Sequence, residues 1–338
     1  MQENTANSEK NWYPFFDYLK ALAIICIVID HYRFTISELG NLLFPYAIEM
    51  GVPIFMLVTG FLYANSFLKN KIYNIKEMFA PAILIKRFLR LTLPFLIIFT
   101  IEYIFNTANI REHDNFFINL FNGQIGPGSY YFPVILQVII FFPILYVIAL
   151  KYKFRGFFII ILFEFLYMLF SVKFSVNPIL FRSLAFRFLT LVYFGCWFAI
   201  YKAEIKNIYL MLSLFTGIFY IFWIYYEHHT NFFYPYIPEF WSLTSGIFIT
   251  LYIFPVFYWL YKYLITKNFN NIFEKFLALI GKASWHIFVM QMLYFVTLDL
   301  YLYSLNLYLH IIFNIFVCSI LGILFYLIEN IFKAKFVK

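Results

Sequence analysis

Apolar runs of about 20 residues recur from one end of this 338-residue chain to the other. That is the length a helix needs to cross the hydrocarbon core of a bilayer, about 30 Å at about 1.5 Å per residue. The runs are continuous and do not alternate apolar with polar residues, which argues against a membrane β-barrel. Hydrophobic residues make up 64% of the chain and charged ones 12%. A soluble domain carries about 45–50% and about 25%. So little charge cannot cover so much apolar surface in water, and so apolar a chain does not stay disordered. In lipid the backbone groups must be satisfied within each segment. The fold class is therefore all-α, a polytopic transmembrane helical bundle.

Ten spans are predicted, at roughly 17–36, 44–64, 88–107, 129–150, 156–173, 184–201, 207–226, 241–262, 276–297 and 307–332. No repeat or low-complexity linker interrupts them. The chain reads as one integral-membrane domain over 1–338, with a short cytoplasmic N-terminal segment at 1–16. The first apolar run, Tyr18 to Ile36, lacks a small-residue cleavage site and is expected to be the first span rather than a signal peptide.

Lysine and arginine test the topology. With the N-terminus inside, 20 of the 25 basic residues fall on inner segments. Only Arg33, Arg111, Lys173, Arg182 and Arg187 fall on the outer side. The asymmetry follows the positive-inside rule and predicts both termini in the cytoplasm, hence a multi-pass protein of the cell membrane. It also accounts for the net charge of +8 without a nucleic-acid partner. Cys26, Cys196 and Cys318 are odd in number and far apart, so neither a disulfide framework nor a metal site is expected. The adjacent His228 and His229 lack helical ligand spacing.

Ionisable residues inside spans mark functional candidates. They are Asp30, His31, Glu49, Glu102, Glu164, His286 and His310, with Lys20 and Arg90 near inner helix ends, where they can snorkel. His31 lies 14 residues after Asp17, about 21 Å up the first helix, in the outer half of the membrane. Glu49 and Glu102 fall at matching depth in the second and third spans. A carboxylate there could orient an imidazole and raise its basicity. Asp30 cannot, because neighbours on a helix point about 100° apart. Glu164 reads as a structural partner of Arg182 or Arg187, and His286 and His310 as packing or interhelical hydrogen-bond groups. Gly123 to Gly128 reads as an outer-loop turn. Nucleophile-elbow, Walker, HExxH and GxGxxG motifs are absent.

The first span, with Asp17, Lys20 and His31, resembles the opening helix of the membrane acyltransferase-3 family. That family's pattern is an Asp, an Arg, ten residues and a His. Lys20 stands at the Arg position, keeping the charge and losing the planar fork. Four more segments match in order. Gly51 to Phe61 is similar to the second-helix block, and Lys86, Arg87 and Arg90 through Pro94 to the Arg-x-x-Arg motif. Tyr130 to Gln137 with Pro143 is similar to the start of the fourth helix, and Leu279 to Phe288 to the late Leu-Gly-x-x-Ser block. After that block the family often has a His, where this chain has Gln291.

The resemblance implies transfer of an acyl group, most often acetyl from acetyl-CoA, to a hydroxyl of a surface polysaccharide or lipid-linked glycan. Acyl-CoA would be a co-substrate, with no permanently bound cofactor, and membrane lipid would surround the site. His31 would be the catalytic base or acyl carrier, with Glu49 or Glu102 as its orienter. Lys20, Arg87 and Arg90 would bind the donor, Asp17 and Asp30 would support them, and the thioester would reach His31 through a channel between helices. Sparse intramembrane charges on ten helices also suit a transporter or flippase for a lipid-linked glycan.

Overall fold

The computed structural model describes residues 12–32, 44–108, 116–122, 126–230, 246–264, 271–299 and 306–336. Of 12–13, 44–45, 106–108, 122, 225–230 and 336 it describes only the backbone. The described residues are helices and their connections, with no strand. The longer helices are α1 (Trp12–Asp30), α2 (Gly51–Lys69), α3 (Pro81–Ala108), α4 (Tyr131–Tyr152), α5 (Arg155–Lys173), α6 (Leu189–Tyr201), α7 (Asn207–Thr230), α8 (Gly246–Leu264), α9 (Ile272–Lys282), α10 (Ser284–Thr297) and α11 (Leu307–Phe336).

Each of the ten predicted spans overlaps a described helix, but not all ten have the length and apolarity of a crossing helix. Among the described residues seven do, and eight if α9 and α10, bent by 71° at their junction, form one span. The other two are α1 and the Ala185–Tyr201 segment that contains α6. In α1, Asp17 and Lys20 leave an unbroken apolar run of nine residues before Asp30. Ala185–Tyr201 is a shorter apolar helical stretch. The large side chains left exposed are mainly aliphatic and aromatic, as on α7, where Phe215, Phe219 and Phe222 form a stripe at i, i+4, i+7. In a bilayer such a stripe faces lipid.

The chain forms two compact units, and both are built from several separate stretches of it. One contains 1–42, 89–130 and 262–338; the other contains 43–88 and 131–261. In the second unit α6 is the core. It is apolar all round, and from Leu189 to Ala199 every residue is buried. It packs on α2, α4 and α5. Its crossing with α2 is made by glycine from both sides. A Cβ on Gly60 would overlap the Val192 carbonyl, and one on Gly195 would overlap Leu57 and approach the Phe61 nitrogen to 2.9 Å. Small residues let membrane helices approach to backbone contact, where dispersion replaces the hydrophobic drive that lipid removes.

The first unit repeats the device. Gly281 of α9 lies against the Asp17 backbone of α1, and Gly322 of α11 against Ile287 of α10. The Trp285 indole donates to the Leu91 carbonyl at 3.1 Å, tying the start of α10 to α3. The rotation of α10 is thereby fixed on two sides, by α3 and by α11.

Gly195→Leu should force α2 and α6 apart at a cost of about 1–3 kcal/mol or more. Purified protein should melt at a lower temperature and lose its monodisperse peak, while Phe215→Leu on the exposed stripe should melt with the wild type. Equal melting of Gly195→Leu and wild type would contradict the tight crossing.

Candidate active site

His31 stands where α1 stops. Its backbone N–H closes the last turn on the Ile27 carbonyl at 3.3 Å, and Tyr32 follows on Ile29 at 3.0 Å. The imidazole is half-buried. Its neighbours come from two distant parts of the sequence. One is the turn Gly126–Ser129, closed by the Ser129 N–H and hydroxyl, which both donate to the Gly126 carbonyl, at 3.1 and 2.8 Å. The other is α10.

The turn explains its two glycines. Gly128 has φ +84°, a backbone conformation that side chains disfavour, and a Cβ there would sit 2.7 Å from His31 Nε2. A Cβ on Gly126 would overlap the Glu102 carboxylate. Only bare backbone can lie this close to both groups. Two residues of chain span at most about 7 Å, so the imidazole and the carboxylate lie against neighbouring points of one turn. Glu102 is fully buried, and neither of its oxygens has a hydrogen-bond partner among the described residues. The sequence alone marks this stretch as a turn and no more. Its visible signal is Gly-Pro-Gly, which permits close backbone approach; what approaches it depends on tertiary placement.

From α10, the Phe295 ring meets the imidazole edge to face at 6.1 Å, and Phe288 Cε2 lies 3.3 Å from the position of a Cβ on Gly128. On the far side of Tyr32 a buried polar network begins. The Tyr32 ring meets that of His310 at 5.0 Å. His310 Nε2 lies 2.7 Å from Asp299 Oδ1, Asn314 Nδ2 donates to the same oxygen at 3.2 Å, and the Tyr294 hydroxyl donates to Asn314 Oδ1 at 2.6 Å. The predicted spans stop short of Asp299, so its pairing with His310 is not legible in the sequence. Deeper on α10, His286 Nε2 lies 2.8 Å from Glu329, which also holds Lys333 at 2.9 Å.

The remaining predicted residues are spread over both units. Asp17 and Lys20 form an ion pair at 2.8 Å on α1. Asp30 is the half-buried last residue of α1. Arg90, exposed on α3, is in the first unit. In the second unit, the half-buried Arg87 lies over the rings of Tyr63 and Phe67 at 4.2 and 4.8 Å. Glu49, also half-buried there, sits in the 3-10 turn Ile48–Met50. Glu164 is fully buried, and its Oε2 accepts from the Thr190 N–H at 2.9 Å and hydroxyl at 2.6 Å. It thus joins α5 to the start of α6. Arg33 and Arg111, the stretch 123–125, residues 1–11 of the N-terminal segment and the side chains of His228 and His229 lie outside the described residues. Among the described residues no three potential ligands gather around one point as a metal site.

Gly128→Ala should destabilise the turn by about 1–2 kcal/mol through its positive φ and push the imidazole off its position. Peptide mapping after diethyl pyrocarbonate treatment should find the modification rate of His31 altered and that of His286 unchanged. An unaltered rate at His31 would separate the turn from the imidazole.

The family model described as an acyltransferase domain, that of the acyltransferase-3 family, matches residues 13–328. No curated protein and no solved structure matches the chain.

Proposed function

The chain belongs to the acyltransferase-3 family, and on that premise we propose that it moves an acyl group, most simply acetyl, from cytoplasmic acyl-CoA to a hydroxyl of a surface polysaccharide or lipid-linked glycan. Its long apolar helices make it a multi-pass membrane protein. The excess of lysine and arginine on the predicted inner segments supports the cell membrane, with both termini in the cytoplasm.

One observation carries the reading: an imidazole and a fully buried carboxylate lie against the two glycines of one turn. His31 is the general base. As the acceptor oxygen attacks the thioester carbonyl, the imidazole takes its proton; the C–O bond forms, the C–S bond breaks, and the proton passes to the departing thiolate as CoA leaves. Glu102 stabilises the positive charge that the imidazole gains. It is preferred to Glu49 for this role because it shares the turn with His31. Arg87 and Arg90 offer forks of donors that suit the phosphates of CoA, and the aromatic rings beneath Arg87 hold that guanidinium in place. From Arg90 to Glu102, α3 rises about 18 Å, a span suited to the extended pantetheine arm. Lys20, paired with Asp17, adds a charge whose field is partly neutralised, while Asp30 and Glu164 support the fold.

His31→Ala should lower the ester content of surface glycans at least about 100-fold while glycan export continues; mass spectrometry of the glycans reads both. Ester content equal to wild type would remove the acyl-transfer role of His31. Loss of export with ester content per glycan unchanged would make the chain a transporter or flippase instead.

A further inference from the structure

Gln291 is completely buried on α10, and neither its amide oxygen nor its amide nitrogen has a hydrogen-bond partner among the described residues. Buried carboxamides left with neither group satisfied are rare in folded proteins and call for an explanation, such as a ligand or water that belongs there. The position of Gln291 on the helix indicates which. At about 100° per residue it lies about 40° from Phe295 and about 60° from Phe288. Those two rings are the ones that meet His31 and the Gly128 turn. On its other flank, also about 40° away, Ile287 packs against Gly322 of α11. On α11, Asn314 is engaged, accepting from Tyr294 and donating to Asp299. The carboxamide therefore sits on the border of the His31 face with no described protein group to serve.

We propose that Gln291 is the donor to the acyl carbonyl oxygen. As the acceptor hydroxyl adds to the thioester, the carbonyl pair moves onto oxygen, and the amide N–H of Gln291 hydrogen-bonds that developing oxyanion. When the pair returns and the C–S bond breaks, the proton held on His31 goes to the thiolate. The inference rests on the acyl-transfer reading above and adds to it the group that stabilises negative charge. A neutral amide suits this task in a site that already has the Glu102 carboxylate on its turn, because it brings N–H donors without a second ionised group. In a site shielded from water such a donor acts strongly, since no solvent must be reorganised as the charge appears.

The test uses inverted membrane vesicles containing the full chain and their own glycans, with radiolabelled acetyl-CoA added outside and ester-linked label counted. Gln291→Met keeps the volume and removes both polar groups. It should fold at least as well as wild type, lose about 100- to 1,000-fold in kcat and change KM for acetyl-CoA little. Gln291→His, which restores an N–H donor, should recover a large part of the rate. A role in packing alone predicts the reverse, an undiminished kcat in the Met variant, and that result would overturn the proposal. Should Gln291→Met not accumulate, Gln291→Asn decides the same question by withdrawing the amide one methylene: kcat lost at constant KM supports the role, kcat kept overturns it. The two levels fail separately. If His31→Ala abolishes labelling and Gln291→Met does not, only this inference falls; if wild type transfers no label, or His31→Ala transfers as much as wild type, the acyl-transfer reading with acetyl-CoA falls and takes this one with it.

Discussion

The site depends on backbone lying where no side chain could. Gly128 brings the chain to within contact of the His31 imidazole, and Gly126 does the same for the Glu102 carboxylate. The hydroxyl and N–H of Ser129 close the turn that holds both glycines. A polar group in an apolar bundle must be satisfied or it is costly, and a bulky neighbour would settle that cost by filling the space. A glycine turn touches the polar groups with backbone alone.

The same residue type does a different job in the helices. Gly60, Gly195, Gly281 and Gly322 bring one helix backbone against another, and in lipid this close packing replaces the hydrophobic drive of water. The result is a rigid frame in each unit. In the first, α10 is fixed by the Trp285–Leu91 hydrogen bond and the Gly322 contact. Without those two constraints a modest rotation could carry Phe288, Gln291 and Phe295 away from the end of α1. Catalytic geometry tolerates little such slack, so under the proposed function the glycine contacts of the helices bear on chemistry as well as on stability.

Much of the fold is legible because hydropathy over about 20 residues depends on local sequence alone. Among the described residues seven of the ten predicted spans, or eight if α9 and α10 form one, are long, apolar helices. What hydropathy misses are features set by partners far along the chain. The 71° bend between α9 and α10 has no proline or long polar gap to announce it. Ala185–Tyr201 is short because the left-handed backbone of Lys202, φ 44°, ends it, and its all-round burial by α2, α4 and α5 reads in sequence like any other span. His31 and Glu102, and Glu164 in the other unit, are visible because charge in an apolar run is conspicuous. Asp299 is not, since it falls between two predicted spans, and its bond to His310 exists only once the ends of α10 and α11 come together. The glycines are visible as a turn, but their partners are 24 and nearly 100 residues away in the sequence.

Depth estimates along single helices match His31 with two carboxylates, and the fold distinguishes them by a criterion that depth cannot supply. Glu102 lies against the turn that also contacts His31. Height in the membrane is one coordinate of three; the other two are set by helix rotation and by which loop folds back over the helix end. The turn Gly126–Ser129, between α3 and α4, supplies both here. It does so through the residue with no side chain, so that in the candidate site the places where side chains are missing matter as much as the places where they carry charge.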